Sequence, residues 1–433
     1  MAYADAEAHL NALGIDAMKS MAPSLHRIEA LLDSLDHPER RLPSIHVTGT
    51  NGKTSVARIA SSLLTATGLK VGIYTSPHLT SMTERIALNG EPVSEDAFGD
   101  VFGHLSPYLS GTEERLGERL TYFEVMTALF FLWAADTPVD VAVVEVGLGG
   151  LWDATNVIES EVAVITNIGL DHTELLGDRA SIAKEKSGII KGGSAVVVGE
   201  RDPSMLAIIS DAATDNELSV LDRDFSVIEN KLAFGGRYLS LATSSRSYHG
   251  LFLPLHGSHQ GINGLIALEA VGSFLPPGSL DDQVVAEGFA SVAAPGRLEP
   301  IKTGREDGIP VILDVAHNPE GVSALVTSLA EAFAYERVVF VVGILVDKDH
   351  RGMIAEMTRV PSSIIFTEPR IARAAPTKTL EAAAAEIGCP ATSAPDVERA
   401  LAAAFAEAGS NDLVCITGSH YVVGEARGHL LRS

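Results

Sequence analysis

The sequence predicts an α/β protein in two units. The first is an N-terminal domain holding a phosphate loop on a doubly wound, mainly parallel sheet with a small appended antiparallel hairpin. A smaller Rossmann-like α/β domain follows it. Three observations carry this expectation. Short β-branched runs, apolar on both faces, recur along the chain, as strands covered by helices on each side require. Helical periodicity fills the gaps between them, the alternation that builds parallel sheets. At 433 residues the chain also exceeds what one hydrophobic core usually organises.

The first strand, Pro43-Ser44-Ile45-His46-Val47, runs into Thr48-Gly49-Thr50-Asn51-Gly52-Lys53-Thr54-Ser55. A helical pattern from Val56 to Leu64 follows and stops at Gly68. Strand, glycine loop and helix is an arrangement that holds nucleotide phosphates, because loop N–H groups and the positive end of the helix dipole face them. Lys53 would reach the β and γ oxygens, and the Thr54 hydroxyl would face Mg²⁺. The common loop has four residues between its glycines, whereas here two separate Gly49 from Gly52.

Further strands are expected at Val71–Thr75, Val141–Val146, Val162–Thr166 and Ala195–Val198, and later at Val311–Val315, Val338–Val342, Ile364–Thr367 and Leu413–Thr417. Helical patterns cover 121–135, 178–191, 260–274, 319–333 and 396–407. Asp224–Leu232 and Arg237–Ala242 flank a Phe234-Gly235-Gly236 turn and read as an antiparallel hairpin on the main sheet. The alternation restarts after Ala293-Ala294-Pro295-Gly296, which divides the chain into 1–294 and 295–433.

A formal net charge of −24 argues against a nucleic-acid partner. It also means that a polyanion such as ATP must be held by a few concentrated cations and Mg²⁺. Lys53, Arg85, Lys186, Arg297 and Lys348 are the cations placed for this. No apolar run reaches the length of a membrane span, and the N-terminus lacks a secretory pattern. Cys389 and Cys415 are far apart, without metal-ligand spacing. A cytoplasmic enzyme without membrane partner is the expectation.

Chemistry-bearing residues fall at strand ends, where open α/β sheets bind ligands. Ser76 follows one strand. Glu145 sits inside an apolar one, where a carboxylate needs a cation or metal, Mg²⁺ being the natural candidate. Asp171-His172 follow another strand; on hardness grounds a histidine suits Mg²⁺ poorly, which favours an orienting role. Lys186, in Ala183-Lys184-Glu185-Lys186-Ser187, would by itself read as part of a solvated helical face. Arg297 follows a tight turn and could reach a transferring phosphoryl group. Asp314-Val315-Ala316-His317-Asn318 and Gly418-Ser419-His420 close later strands, and helix capping explains Asn318 and Ser419 nearly as well.

Together these segments resemble the folylpolyglutamate synthase/dihydrofolate synthase family, a branch of the Mur-ligase-like ATP-dependent amide ligases. The resemblance runs from about Leu25 to Glu425 and includes His46–Ser55, Ser76-Pro77-His78-Leu79, Glu145–Asn156, Ile165–Leu176, Glu185–Lys191, Pro295–Glu299 and Ile416–Ser419. The compact Gly-Thr-Asn-Gly-Lys loop is that family's own form. The resemblance implies an enzyme that joins L-glutamate to dihydropteroate or to reduced folates at the cost of ATP, with two Mg²⁺ ions. Gly49 to Ser55, Asn263, Arg297 and Asp314 would contact ATP. Thr54, Ser76, Glu145, His172 and a carbamylated Lys186 would hold the metal ions. Lys53, Lys186, His172 and Arg297 would serve catalysis. Phe123, Asp153 and Ala154 would meet the pterin, and His317 and Ser419 the incoming glutamate. A monomer is expected. Leu151 stands where the family has an arginine, which leaves two alternatives open: a tolerated loop change, or a related ligase with a different carboxylate acceptor.

Overall fold

The computed structural model describes residues 1–14, 24–305 and 308–432. Its largest sheet has eight strands: β1 (Ser44–Thr48), β2 (Val71–Tyr74), β3 (Ile86–Leu88), β4 (Glu91–Pro92), β5 (Val141–Glu145), β6 (Val162–Ile165), β7 (Ala195–Val198) and β8 (Leu218–Val220). They lie in the order β4-β3-β2-β5-β1-β6-β7-β8, with only β3 and β4 antiparallel to their neighbours. β1 therefore sits between β5 and β6, and the loops leaving these three strands share one edge.

Burial on both faces explains the composition of these strands. Ile45, Val47 and Val143 enter one core, which also takes Val56, Ile59 and Leu63 of the helix Lys53–Ala66. Val144 and Tyr74 enter the other, against Val125, Met126 and Phe130. The helix carrying those three, Tyr122–Asp136, starts at a reciprocal cap: Thr121 Oγ1 accepts from the Glu124 N–H (3.2 Å) and Glu124 Oε2 accepts from the Thr121 N–H (2.7 Å).

Residues 226–253 form a separate three-stranded sheet rather than an extension of the first. It contains β9 (Ser226–Ala233), β10 (Gly236–Ala242) and β11 (Ser247–Leu253), in the order β11-β10-β9. The expected hairpin is β9–β10; β11 adds a third strand, and Leu239, Leu241, Leu251 and Leu253 pack with Leu265 and Leu268 of the helix His259–Phe274. Arg237 on β10 is the largest fully buried side chain, donating through Nη1 to Glu331 Oε1 at 2.6 Å.

The second large sheet comprises β12 (Glu299–Ile301), β13 (Val311–Leu313), β14 (Val338–Val342), β15 (Ser362–Phe366), β16 (Ala391–Ser393) and β17 (Leu413–Thr417). Its order is β12-β13-β17-β14-β15-β16, parallel except for β12. Phe340 and Val342 enter one of its cores and Val339 and Val341 the other. Of the strands that periodicity missed, β3, β4, β8, β12 and β16 have two or three residues and lie at or beside sheet edges, where short strands are favoured, whereas β11 is a seven-residue edge strand of the small sheet. The helical pattern at 178–191 ends sooner, at Ser187, with Gly188 as its C-cap.

Candidate functional site

Both large sheets present the carboxyl ends of their strands to one open cleft. The phosphate loop forms part of its wall. Gly49 and Gly52 have φ of 151° and 85°. A Cβ on Gly49 would stand 1.7 Å from Thr166 Oγ1, and one on Gly52 would stand 2.6 Å from Asn263 Oδ1. The short spacing is thus matched to two close neighbours. Lys53 Nζ donates to the carbonyls of Gly49 (3.0 Å) and Thr50 (3.3 Å), curled over the loop it belongs to.

Thr54, one residue into the helix, joins two parts of the chain. Its hydroxyl donates to Glu145 Oε1 (2.8 Å) and accepts from Arg297 Nη2 (3.2 Å). Glu145 is 1% exposed, and its other oxygen accepts from the Ser76 N–H at 3.2 Å. Burial raises its pKa, and Lys53 nearby only partly offsets this. Arg297 arrives from the turn before β12. Asp314 holds that turn by accepting from the Leu298 N–H (2.9 Å) and the Ala316 N–H (2.9 Å). Asp314 therefore supports Arg297 and does not line the cleft.

Lys186 is 5% exposed, so the solvated-face reading of its helix does not hold. Its Nζ donates to the Gly49 carbonyl at 2.8 Å. Burial, with Lys53 nearby, pulls its pKa down to about 7. Its amine is therefore substantially uncharged near neutral pH.

A second cluster crosses the cleft at Asp171. Lys348 Nζ donates to Asp171 Oδ1 (2.6 Å), and His317 Nε2 lies 3.4 Å from Asp171 Oδ2. Lys348 Nζ is also 3.4 Å from His172 Nε2. Burial alone would raise the Asp171 pKa, but His317, His172 and Lys348 hold it well below the carboxylate range. Burial lowers the His172 pKa to about 4, leaving a neutral ring able to act as a ligand.

The cleft lining brings together Gly49, Thr50, Asn51, Gly52, Lys53, Thr54, Ser76, Glu145, His172, Lys186, Arg297, His317 and Ser419 of the expected residues. Ser55, Asn263, Phe123, Asp153 and Ala154 are not part of that lining. Asn263 abuts Gly52, and the Phe123 ring abuts Gly147. Asp153 is 1% exposed and spends its carboxylate on the Leu148 N–H (2.9 Å) and the Thr155 N–H (3.0 Å). Asn318 and Ser419 do cap helices, accepting from the Gly321 and Val422 N–H groups. Asn318 Nδ2 also donates to Asn51 Oδ1 of the phosphate loop (3.2 Å). Leu151 is 55% exposed, its backbone fixed by Glu185 and Asn156. Sequence reasoning assigned no role to Arg373, which lines the cleft just beyond the end of β15. Its position after a parallel strand was the available signal.

The donor set near Thr54 suits Mg²⁺. A hydroxyl and a carboxylate are hard oxygen donors, and a buried carboxylate with raised pKa is short of positive charge. Among the described residues no group of three or more His, Cys, Asp and Glu converges as a protein-only cage. Mg²⁺ ordinarily shares its shell with phosphate oxygens and water.

The family profile described as Mur ligase middle domain matches residues 47–271, and that of the Mur ligase glutamate ligase domain matches 296–420. The chain is 39% identical to the dihydrofolate synthase/folylpolyglutamate synthase of Mycobacterium tuberculosis, over 94% of this chain and 89% of that one. It is 34% identical to the enzyme of the same name from Bacillus subtilis, over 94% and 95% of the two chains. A crystal structure of M. tuberculosis folylpolyglutamate synthase complexed with ADP and AMPPCP superposes with a TM-score of 0.90 at 39% identity, covering 95% of this chain and 96% of that one. A structure of Escherichia coli FolC in complex with DHPP and ADP gives 0.85 at 31% identity, covering 99% and 98%. The chain belongs to the Mur ligase family, in its folylpolyglutamate synthase/dihydrofolate synthase branch.

Proposed function

We propose that this chain uses ATP to join L-glutamate to dihydropteroate, to the γ-carboxylate of reduced folates, or to both. The acceptor carboxylate attacks the γ-phosphorus, giving an acyl phosphate and ADP. The glutamate amine then attacks the acyl carbon, forming the amide and expelling phosphate. A carboxylate is a poor electrophile, and phosphorylation supplies its leaving group. The observation that carries this reading is the meeting of Arg297 with Thr54 across the cleft (3.2 Å), which sets a guanidinium from the second sheet over the phosphate loop.

In this reading Gly49 to Ser55 cradle the phosphates through backbone N–H groups. Lys53 leaves the Gly49 and Thr50 carbonyls for phosphate oxygens, and Arg297 spreads the charge of the transferring group. Asn263 sits beside Gly52 at the adenine side. Thr54, Ser76 and Glu145 hold one Mg²⁺, which when bound neutralises phosphate charge. His172 and Lys186 hold a second. As an amine Lys186 would repel a cation, so its role requires a carbamate, in which Nζ bonds to the carbon of CO₂ and releases one proton. A lysine with a pKa near 7 supplies the free amine that this reaction needs. Phe123, Asp153 and Ala154 support the acceptor side, while His317, Lys348 and Ser419 lie toward the glutamate. The division at 294/295 separates an ATP-binding catalytic domain from a glutamate ligase domain, acting as a monomer. Cys389 and Cys415 are both free, in keeping with a reducing cytoplasm.

Leu151, more than half exposed where the family has an arginine, favours a second reading in which another carboxylate is the acceptor. Product analysis decides between them. Incubation with ATP, Mg²⁺ and glutamate, with dihydropteroate and tetrahydrofolate in parallel, should yield a glutamylated product and ADP with at least one. No stimulation of ADP release by either acceptor would overturn the folate reading.

A further inference from the structure

Glutamate brings two carboxylates and one amine into a cleft that must orient all three. The amine has to reach an acyl group formed over the phosphate loop. The α-carboxylate shares its carbon with that amine and stays near the loop, so the side-chain carboxylate points away from it. Two cations from the second sheet line the cleft on loops at the carboxyl ends of adjacent strands. Lys348, after β14, is the near one, reaching Asp171 and His172 from the first sheet. The Asp171 carboxylate against Lys348 and His317 shows that this corner accepts a carboxylate.

Arg373, after β15, is the far one. Its Nη2 donates to Asp347 Oδ1 at 2.7 Å, on the loop of its own sheet that also carries Lys348. That loop and the segment around Arg373 are tied together by backbone. The Val346 N–H donates to the Arg373 carbonyl (3.0 Å), and the Ala375 N–H donates to the Ile344 carbonyl (2.8 Å). Arg373 is 20% exposed and Asp347 10%, so the guanidinium is held in place and still meets the cleft. A planar guanidinium held in place by a carboxylate of its own sheet is pre-organised in a way that a mobile surface arginine is not.

From this placement we propose that Arg373 receives the side-chain carboxylate of the incoming amino acid and sets the enzyme's choice of glutamate over uncharged analogues. The inference rests on the ligase reading above.

The test compares kcat/KM for L-glutamate and L-glutamine in the full-length enzyme, its Arg373→Gln variant and its Arg373→Lys variant. Arg373→Gln should lower the glutamate-to-glutamine ratio by about 100-fold, chiefly through the KM for glutamate. Arg373→Lys should recover part of that ratio. A merely structural role would depress both substrates together, so an unchanged ratio overturns the proposal. If Arg373→Gln does not fold, Arg373→Lys alone carries the test: a ratio lowered about tenfold supports the assignment, and an unchanged one overturns it. Hydroxylamine in place of glutamate separates this from the ligase reading, because it traps an acyl phosphate as a hydroxamate without either carboxylate. Hydroxamate formed by the unaltered enzyme with an unchanged ratio in the variants rejects Arg373 alone. Absence of hydroxamate with every acceptor rejects the ligase reading.

Discussion

Two of the contacts that carry side chains across the cleft differ in kind. At Thr54 a cation from the second sheet meets a hydroxyl (3.2 Å), so Arg297 has a neutral partner in the phosphate loop. At Asp171 two groups of the second sheet meet a carboxylate, and Lys348, with 5% side-chain exposure, is charge-paired at 2.6 Å. The first contact sets a guanidinium, with the carboxylates of Asp314 and Glu145 near but not hydrogen-bonded to it at this point, above a loop shaped for phosphates. The second is already neutralised, and an anion entering there has to compete with Asp171. The enzyme is thus poised for nucleotide at one corner, while at the other a substrate carboxylate has to share or take the partners of Asp171.

Breaking the first contact should give the larger effect. Arg297→Ala removes the charge placed over the transferring group, and acceptor-dependent ADP release should fall about 10³-fold or more. A loss under tenfold would leave Arg297 as a tie between the sheets. Breaking the second should show mainly in stability. Asp171→Asn leaves Lys348 buried without its counter-charge, which costs roughly 3 kcal/mol, whereas Thr54→Val, losing a neutral partner, costs about 1 kcal/mol. Urea unfolding of the ligand-free proteins measures both, and equal costs would erase the distinction.

The smallest effect at neutral pH is a difference in acid response. The Glu145 pKa is raised by burial, so this carboxylate takes up a proton above the ordinary value of 4.5. Its ionised form costs folding free energy that acidification relieves. Asp171 is held low, so its contribution is complete above 3.8 and declines only below that pH. As pH falls toward the ordinary carboxylate range, Mg²⁺-dependent nucleotide affinity should therefore weaken first, while hydrogen exchange at residues 345–348 stays constant. Simultaneous loss would show that the two corners titrate together.

Periodicity revealed the strands that are covered on both faces, because burial writes itself into composition. Val338–Val342 and Leu413–Thr417 were legible to the residue. The edge strands were not, since a two- or three-residue strand such as Glu91–Pro92 has no period to detect. The same contrast holds in the site. The phosphate loop is contiguous, so its chemistry is spelled in order. Lys186 was readable only through the family resemblance, because its burial comes from packing at Gly49, 137 residues earlier in the chain. The Lys348–Asp171 pair spans 177 residues and brings together two sheets, a relation that local pattern does not encode.

The Arg237–Glu331 pair, buried on its arginine side, gives these two corners a mechanical setting. A body held at two points can still swing about the line through them. Arg237 belongs to a third sheet and grips the same second unit, so it adds the hold that such a swing would strain. A movement that admits substrate strains these holds together, and the contact at Thr54, with its neutral partner, yields more cheaply than either charge pair.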